Sequence, residues 1–297
     1  MPLEVAKDAV VGCISGLNLN QLAPWMGSLD TCGFSGRRII IHLGCDPSVV
    51  AELCRRGWEA YDASVLHGPR DRKLREDPTP DEISVNRFYY IWHFLSKDTG
   101  PPIRHLIAVD ARDVIFQRNP SHWLESHLGE KRLVVGCESL HFEDEPWNAE
   151  TMRNSFGPEV WEAYRRNLIY NAGTIAGELR TMVDLCLQVY LLSPGEWIHY
   201  SDQAALNLLL GLEVYRRITL FASSEDGWAC QAGTTAEPRL LEQVRDRLAS
   251  PLPQFDGEYV RTAGGEIYVL VHQYDRVPQW DVPLKRKHGS PHVSDSV

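Results

Sequence analysis

Two carboxylates, Asp110 and Asp113, follow the apolar run Leu106 to Val109, and one imidazole, His272, ends the apolar run Tyr268 to His272 much later in the chain. Two carboxylates and an imidazole form a donor set for a divalent cation. The plainer reading is a turn whose loose amides are capped by aspartates. Against it stand the abrupt polar cluster after a strongly apolar strand and Arg112 between the two carboxylates. Arg87 shares a face with Tyr90, Ile91 and Phe94, and a guanidinium among apolar neighbours needs an anion, either a structural carboxylate or a phosphate matched to its planar fork. No GxGxxG follows the first apolar run and no GxxxxGK occurs, so dinucleotide and P-loop readings fall. A phosphorylated ligand would instead be neutralised by a cation on Asp110 and Asp113. His122 and His127 are five apart and no HExxH occurs, which leaves zinc hydrolysis without support.

The elements that must position these groups are legible as alternating strands and helices. Val10 to Ser15 reads as a strand, and Leu19, Leu22, Trp25, Met26 and Leu29 as one helical face. Ile39 to Leu43 is a β-branched strand, Pro47 opens a helix to about Arg56, and a short strand lies around Ala60. Residues 67 to 80 read as a charged, exposed loop, after which Asp81 caps a helix from Glu82 to about Leu95. Strands follow at Leu106 to Val109, Val114 to Phe116, Leu133 to Val135 and Thr174 to Ala176. Helices are expected over Glu159 to Leu168, Leu179 to Leu192 and Asp202 to Leu210, and Glu143 to Glu150 reads as a solvated acidic loop or mobile lid. This order predicts a three-layer α/β fold with a mainly parallel sheet, whose ligands collect at the carboxyl ends of the strands.

Composition bounds what such a fold is for. Among 297 residues, 30 Lys and Arg face 40 Asp and Glu, a formal charge of −10, which argues against a surface built to grip nucleic acid. At 43% hydrophobic and 24% charged, the chain can bury a sizeable core, most simply as one large domain. No apolar run approaches the roughly 20 residues of a membrane span. The opening residues lack a basic start, and Ala9 to Val11 is too short for a secretion signal, so a cytoplasmic location is expected. Seven cysteines without a CxxC pair read as reduced thiols.

Four segments, in order, carry a resemblance to the metal-dependent glycosyltransferases of the GT-A fold, especially glycogenin-like and related retaining families. Val109 to Pro120 (VDARDVIFQRNP) resembles their DxD strand, and Asn171-Ala172-Gly173 their Asn-(Ala/Ser)-Gly segment. Ser201-Asp202-Gln203 resembles their Asp-Gln helix start, and Val271-His272-Gln273-Tyr274 the late His that completes their metal site. The resemblance covers roughly residues 9 to 280. It implies one GT-A domain over 1–283, with a donor-nucleotide half at about 9–138 and a donor-sugar and acceptor half at about 139–283. A polar, disordered tail is expected over 284–297.

By the same resemblance the chain would move a hexose from a nucleotide diphosphate sugar, most simply UDP-linked, to a hydroxyl or amine acceptor, using Mn²⁺ or Mg²⁺. Asp110, Asp113 and His272 would hold the metal. Asp113 matches the second Asp of DxD, the first falls on Ala111, and Asp110 is one residue early. Either a bulge lets Asp110 serve, or Asp113 and His272 hold the metal and Asp110 contacts the ribose. Ile14, Ser15 and Gly16 would approach the base, with Asp62 a further candidate there, and the Asp110-Ala111-Arg112 segment would lie along the nucleotide. Arg87 would reach the diphosphate or sugar, and Asn171 and Gly173 would border the sugar. Asp202 and Gln203 would meet its hydroxyls and anomeric face, with an N-cap as their plainer role. Retention would need no fixed nucleophile, since the leaving diphosphate can help deprotonate the acceptor. The alternatives are an inverting enzyme with Glu225 or Asp226 as base, or a non-catalytic nucleotide-sugar binding protein. Trp228 and Gln231 are candidates for the acceptor side, with a core Trp as the alternative. The acceptor and the sugar stay open.

Overall fold

The computed structural model describes residues 6–66, 80–194 and 200–289. In chain order its elements are β1 (Lys7–Ser15), α1 (Leu19–Thr31), β2 (Arg37–Leu43), α2 (Pro47–Arg55), β3 (Glu59–Asp62), α3 (Pro80–Lys97), β4 (Ile103–Val109), β5 (Val114–Phe116) and α4 (Pro120–His127). Then come β6 (Leu133–His141), α5 (Pro146–Tyr164), β7 (Leu168–Tyr170), β8 (Thr174–Glu178), α6 (Leu179–Leu192), α7 (Ser201–Gly211), α8 (Glu213–Ile218) and β9 (Thr219–Ala222). The last elements are β10 (Ala229–Gln231), α9 (Ala232–Thr235), α10 (Pro238–Val244), β11 (Gln254–Phe255), β12 (Val260–Arg261), β13 (Leu270–His272) and α11 (Pro278–Gly289).

The central strands are apolar on both faces because both faces are covered. Ala9, Val11, Ile39, Ile41, Leu106 and Ala108 pack with Val85, Phe88 and Tyr90 of α3 and Met182, Leu185 and Val189 of α6. The alternate residues Val10, Ile40, Ile107 and Val109 pack with Leu22, Trp25, Met26 and Leu29 of α1 and Val49 and Leu53 of α2. The period of two along each strand thus builds two cores and a three-layer α/β/α molecule. Each fully buried Ile or Leu contributes roughly 1.5–3 kcal/mol relative to an exposed one.

The main sheet runs β3-β2-β1-β4-β8-β6-β7, with β9 also on β6. β1–β2, β1–β4, β2–β3 and β6–β9 are parallel, whereas β8 runs antiparallel to both β4 and β6. A second, three-stranded sheet, β10-β13-β5, sits beside it. Its register sets Val114 opposite His272 and Gln231 beside His272, which brings Asp113, His272 and Gln231 to one place. Among the described residues no helix is long and apolar enough to cross a membrane.

Two expectations need correction. The acidic segment at Glu143 to Glu150 is not a solvated loop: Glu145 caps α5, accepting from the amides of Trp147 and Asn148, and Asn148 is buried. The helix expected only from Glu159 therefore starts at Pro146, is interrupted at Gly157 (φ 83°), and ends at Tyr164, leaving Leu168 to the strand β7. Residues 284–289, expected to belong to a polar tail, are helical. Helix α11 reaches Gly289, because Leu284 and His288 share a buried face and the His288 backbone lies against Gly27 of α1. The loop expected at 67–79, the Asp81 side chain and residues 290–297 lie outside the described residues.

Candidate active site

A cleft of about 940 Å³ opens at the carboxyl ends of β1 and β4, where the small sheet meets α3, α5 and α7. Strand β4 delivers Asp110, a three-residue turn follows, and Asp113 leads into β5. That turn brings both aspartates to the same place despite their spacing. His272 Nε2 lies 3.3 Å from Asp110 Oδ2 and 3.7 Å from Asp113 Oδ1. One ligand atom from each of the three residues falls within 4.8 Å of the others.

The protonation geometry tests whether a cation fits there. His272 Nδ1 donates to Gln231 Oε1 at 2.8 Å, while the Gln231 amide donates to Thr174 Oγ1 at 2.7 Å. This leaves Nε2 buried, without a hydrogen-bond partner among the described residues, its lone pair towards two carboxylates. Burial also pushes the His272 imidazole down from its ordinary value, against the pull of Asp113 and Glu138. A neutral imidazole nitrogen and two carboxylate oxygens repel one another unless a cation lies between them, and the set suits a divalent metal ion.

Arg87, carried by α3, reaches across the cleft. Its Nη1 pairs with Asp110, and its Nη2 donates to Asp202 Oδ2 at 3.0 Å and to the Ala172 carbonyl at 3.1 Å. Burial pushes the Asp202 carboxyl up, with Arg87 opposing it. Gly173 sits so close to Asp110 that a Cβ there would lie 2.5 Å from Asp110 Oδ2. Asn171 Oδ1 accepts from the Gly173 amide at 2.7 Å, and the Asp110 amide donates to the Gly173 carbonyl at 3.1 Å, so the segment braces the aspartate.

Below this lies a polar network. Glu138 Oε1 accepts from Asn171 at 2.7 Å and Gln203 at 3.0 Å. Gln203 also donates to Asn148 Oδ1 at 2.8 Å and accepts from the Ala172 amide at 3.2 Å. Glu138 sits just before Ser139, a positive-φ residue (59°) inside β6 where the register to β7 shifts, and burial pushes its carboxyl up despite the Asn171 hydrogen bond. Sequence reasoning missed Glu138, Glu145 and Asn148; the available signal was a single Glu after the apolar run Leu133 to Cys137.

The cleft lining includes Ile14, Ser15, Gly16, Arg87, Asp110, Ala111, Arg112, Asp113, Asn171, Gly173, Asp202, Gln203 and His272. Asp62 is not part of it, and its carboxylate accepts from the Ser64 amide and hydroxyl in a local turn. Glu225 and Asp226 lie off the cleft: Glu225 accepts from the Ala263 and Gly264 amides, and Asp226 closes a capping box with Ser223. Both serve as local caps at this position. Trp228 is fully buried and donates to the Thr174 carbonyl, and Gln231 serves His272 rather than an acceptor.

No family model matches the chain. No curated protein matches it either. Among solved structures, mouse xyloside xylosyltransferase 1 in its apo form aligns over 90% of this chain and 97% of its own, with a TM-score of 0.55 and 14% identity. The apo WbbM bifunctional glycosyltransferase aligns over 98% of this chain with a TM-score of 0.52 and 11% identity, and this chain spans 53% of its length. At such identities the likeness is one of fold, and that fold is the GT-A type of these glycosyltransferases.

Proposed function

We propose that the protein is a metal-dependent glycosyltransferase that moves a hexose from a UDP-linked sugar to a hydroxyl or amine acceptor with retention. The observation that carries this reading is the buried, unpartnered Nε2 of His272 aimed at Asp110 and Asp113 inside a cleft large enough for a nucleotide sugar. The mouse structure is named a xylosyltransferase, which makes sugar transfer the natural chemistry for this fold. A Mn²⁺ or Mg²⁺ ion on these three residues supplies charge neutralisation for a diphosphate leaving group.

The chain's own residues then divide the work. Gly16 and its neighbours at the end of β1 let a base approach the backbone. Arg87, already fixed between Asp110 and Asp202, sits where a planar cation would stabilise charge developing on the diphosphate. Gln203 spends its carbonyl on the Ala172 amide and Asn171, so it acts as a brace for the sugar pocket. In retaining transfer the C1–oxygen bond to the diphosphate breaks as the acceptor oxygen bonds to C1 on the same face. The acceptor proton passes to a diphosphate oxygen. Glu225 and Asp226 lie off the cleft and are engaged in local caps, which supports retention over the inverting alternative.

The test is release of free UDP from UDP-sugars with added Mn²⁺, comparing the wild type with Asp113→Ala and His272→Ala. Each substitution is expected to lower metal-dependent turnover by at least about a hundredfold, the scale of losing Lewis-acid stabilisation. Full transfer by Asp113→Ala in the presence of chelator would refute the metal site.

A further inference from the structure

Donor and metal leave one part of the cleft without a task. Among the described residues, the exposed large aromatic side chains are Trp147 (45% exposed) and Tyr200 (36%), and both line this cleft. Trp25, Trp58, Trp123, Trp228 and Trp280 are all buried. The two exposed rings have centroids 6.0 Å apart with planes inclined by 59°, making an angled apolar corner. A lone exposed apolar residue needs no explanation, but two large aromatics sharing the wall of a polar cleft do.

Trp147 is held by a fixed backbone. Glu145 accepts from the Trp147 and Asn148 amides at the start of α5, and the Asn148 side chain is pinned by Glu145 (2.7 Å) and Gln203 (2.8 Å). Tyr200 adjoins it, in left-handed backbone (φ 55°) immediately before α7, which carries Asp202 and Gln203. The corner therefore stands beside a floor of buried amides and carboxylates at Asn148, Gln203 and Asp202. An apolar ring face flanked by hydrogen-bonding groups matches a pyranose, which has a C–H face and an equatorial fringe of hydroxyls.

We infer that the acceptor is itself a carbohydrate, and that its sugar ring stacks on Trp147 with Tyr200 as the second wall. This inference rests on the transferase reading above and narrows its acceptor from any hydroxyl or amine to a glycoside.

The experiment is saturation-transfer NMR on the full chain with UDP and Mg²⁺, using the methyl β-glycosides of glucose, galactose, xylose and N-acetylglucosamine as probes. A short serine- and tyrosine-containing peptide is the non-carbohydrate control. The expected result is saturation of at least one glycoside, concentrated on the protons of one ring face. Trp147→Leu weakens that glycoside by about tenfold or more and Trp147→Phe restores most of the binding, as loss and recovery of an aromatic platform require. The inference is overturned if no glycoside is saturated, if Trp147→Leu binds as tightly as the wild type, or if the peptide is saturated instead. Calorimetric titration of UDP with Mg²⁺ runs in parallel. UDP binding without glycoside binding defeats only this inference, whereas absence of UDP binding defeats the donor site beneath it.

Discussion

At the scale of single residues, the candidate metal site depends on neighbours that are not themselves ligands. Gln231 fixes the His272 tautomer through the 2.8 Å bond to Nδ1, and Thr174 fixes Gln231 in turn. Replacing Gln231 by Leu is expected to raise the Mn²⁺ concentration for half-maximal activity by roughly 10–100-fold, the usual scale for removing a partner behind a ligand. A Mn²⁺ titration that does not move would remove Gln231 from the site. Gly173→Ala acts from the other side. Its Cβ would stand 2.5 Å from Asp110 Oδ2 and 2.8 Å from Cγ, so the carboxylate must swing away while the backbone can stay. A melting temperature close to the wild type with about tenfold weaker Mn²⁺ binding is the expected pair of readings. These residues differ in how visible they were beforehand. Asp110, Asp113, Asn171, Asp202 and His272 announce themselves by type and order. The task of Gln231 exists only because β10 lies beside β13, and the task of Glu138 only because the register of β6 to β7 shifts around Ser139. Pairings made by register and by register shifts leave no mark on local spacing.

At the scale of elements, strands β1, β2, β4 to β6, β8 and β13 and the helices α1, α2, α3 and α6 were legible because apolar residues run through them in an unmixed pattern, whereas β7, β9 and β10, each of three or four residues, left no such run. The two helices misread at their ends were those whose buried face is narrow. α5 opens in an acidic segment whose polar side chains are spent on its own cap and on the polar network, and α11 ends in a basic sequence anchored by Trp280, Leu284 and His288. The same anchor makes α11 sensitive to acid. Burial, with Lys287 adding to it, pushes the His288 imidazole from 6.5 down to about 4, and neither ring nitrogen has a hydrogen-bond partner among the described residues. As pH falls below 6.5 the unfolded chain takes up this proton while the folded chain does not until about 4. Stability is therefore full above 6.5 and declines through that interval, by about 2 kcal/mol at pH 5. Urea unfolding at pH 7 and pH 5 should show His288→Leu losing correspondingly less stability than the wild type, and parallel losses would show that His288 does not govern it. Gly27→Ala supplies the steric counterpart. A Cβ at Gly27 would lie 2.0 Å from the His288 carbonyl oxygen, so α11 must leave α1. Faster amide exchange across α11 in that variant is expected.

At the scale of the whole molecule, the cleft joins the two halves of the chain, since Asp110 and Asp113 come from the first and Asp202, Gln203 and His272 from the second. Arg87 ties them by pairing with Asp110 and Asp202 together. A ligand that needs both sides binds only when the halves are folded against each other, so its binding energy adds to global stability. At about one hundred times its dissociation constant such a ligand contributes about 2.7 kcal/mol, which for a chain of this size raises the melting temperature by roughly 4 °C. Among the described residues, five carboxylates, Asp110, Asp113, Glu138, Glu145 and Asp202, line the cleft against three guanidiniums, Arg87, Arg112 and Arg276, and Arg87 is already paired with Asp110 and Asp202, so a nucleotide diphosphate alone would add negative charge beside Asp110 and Asp113. The shift should therefore appear with UDP and Mn²⁺ together and be small with UDP alone. It should also shrink in Asp113→Ala. An equal shift with and without Mn²⁺ would place the nucleotide away from Asp110, Asp113 and His272, and no shift with any nucleotide diphosphate would remove the donor from this cleft while leaving the fold as described.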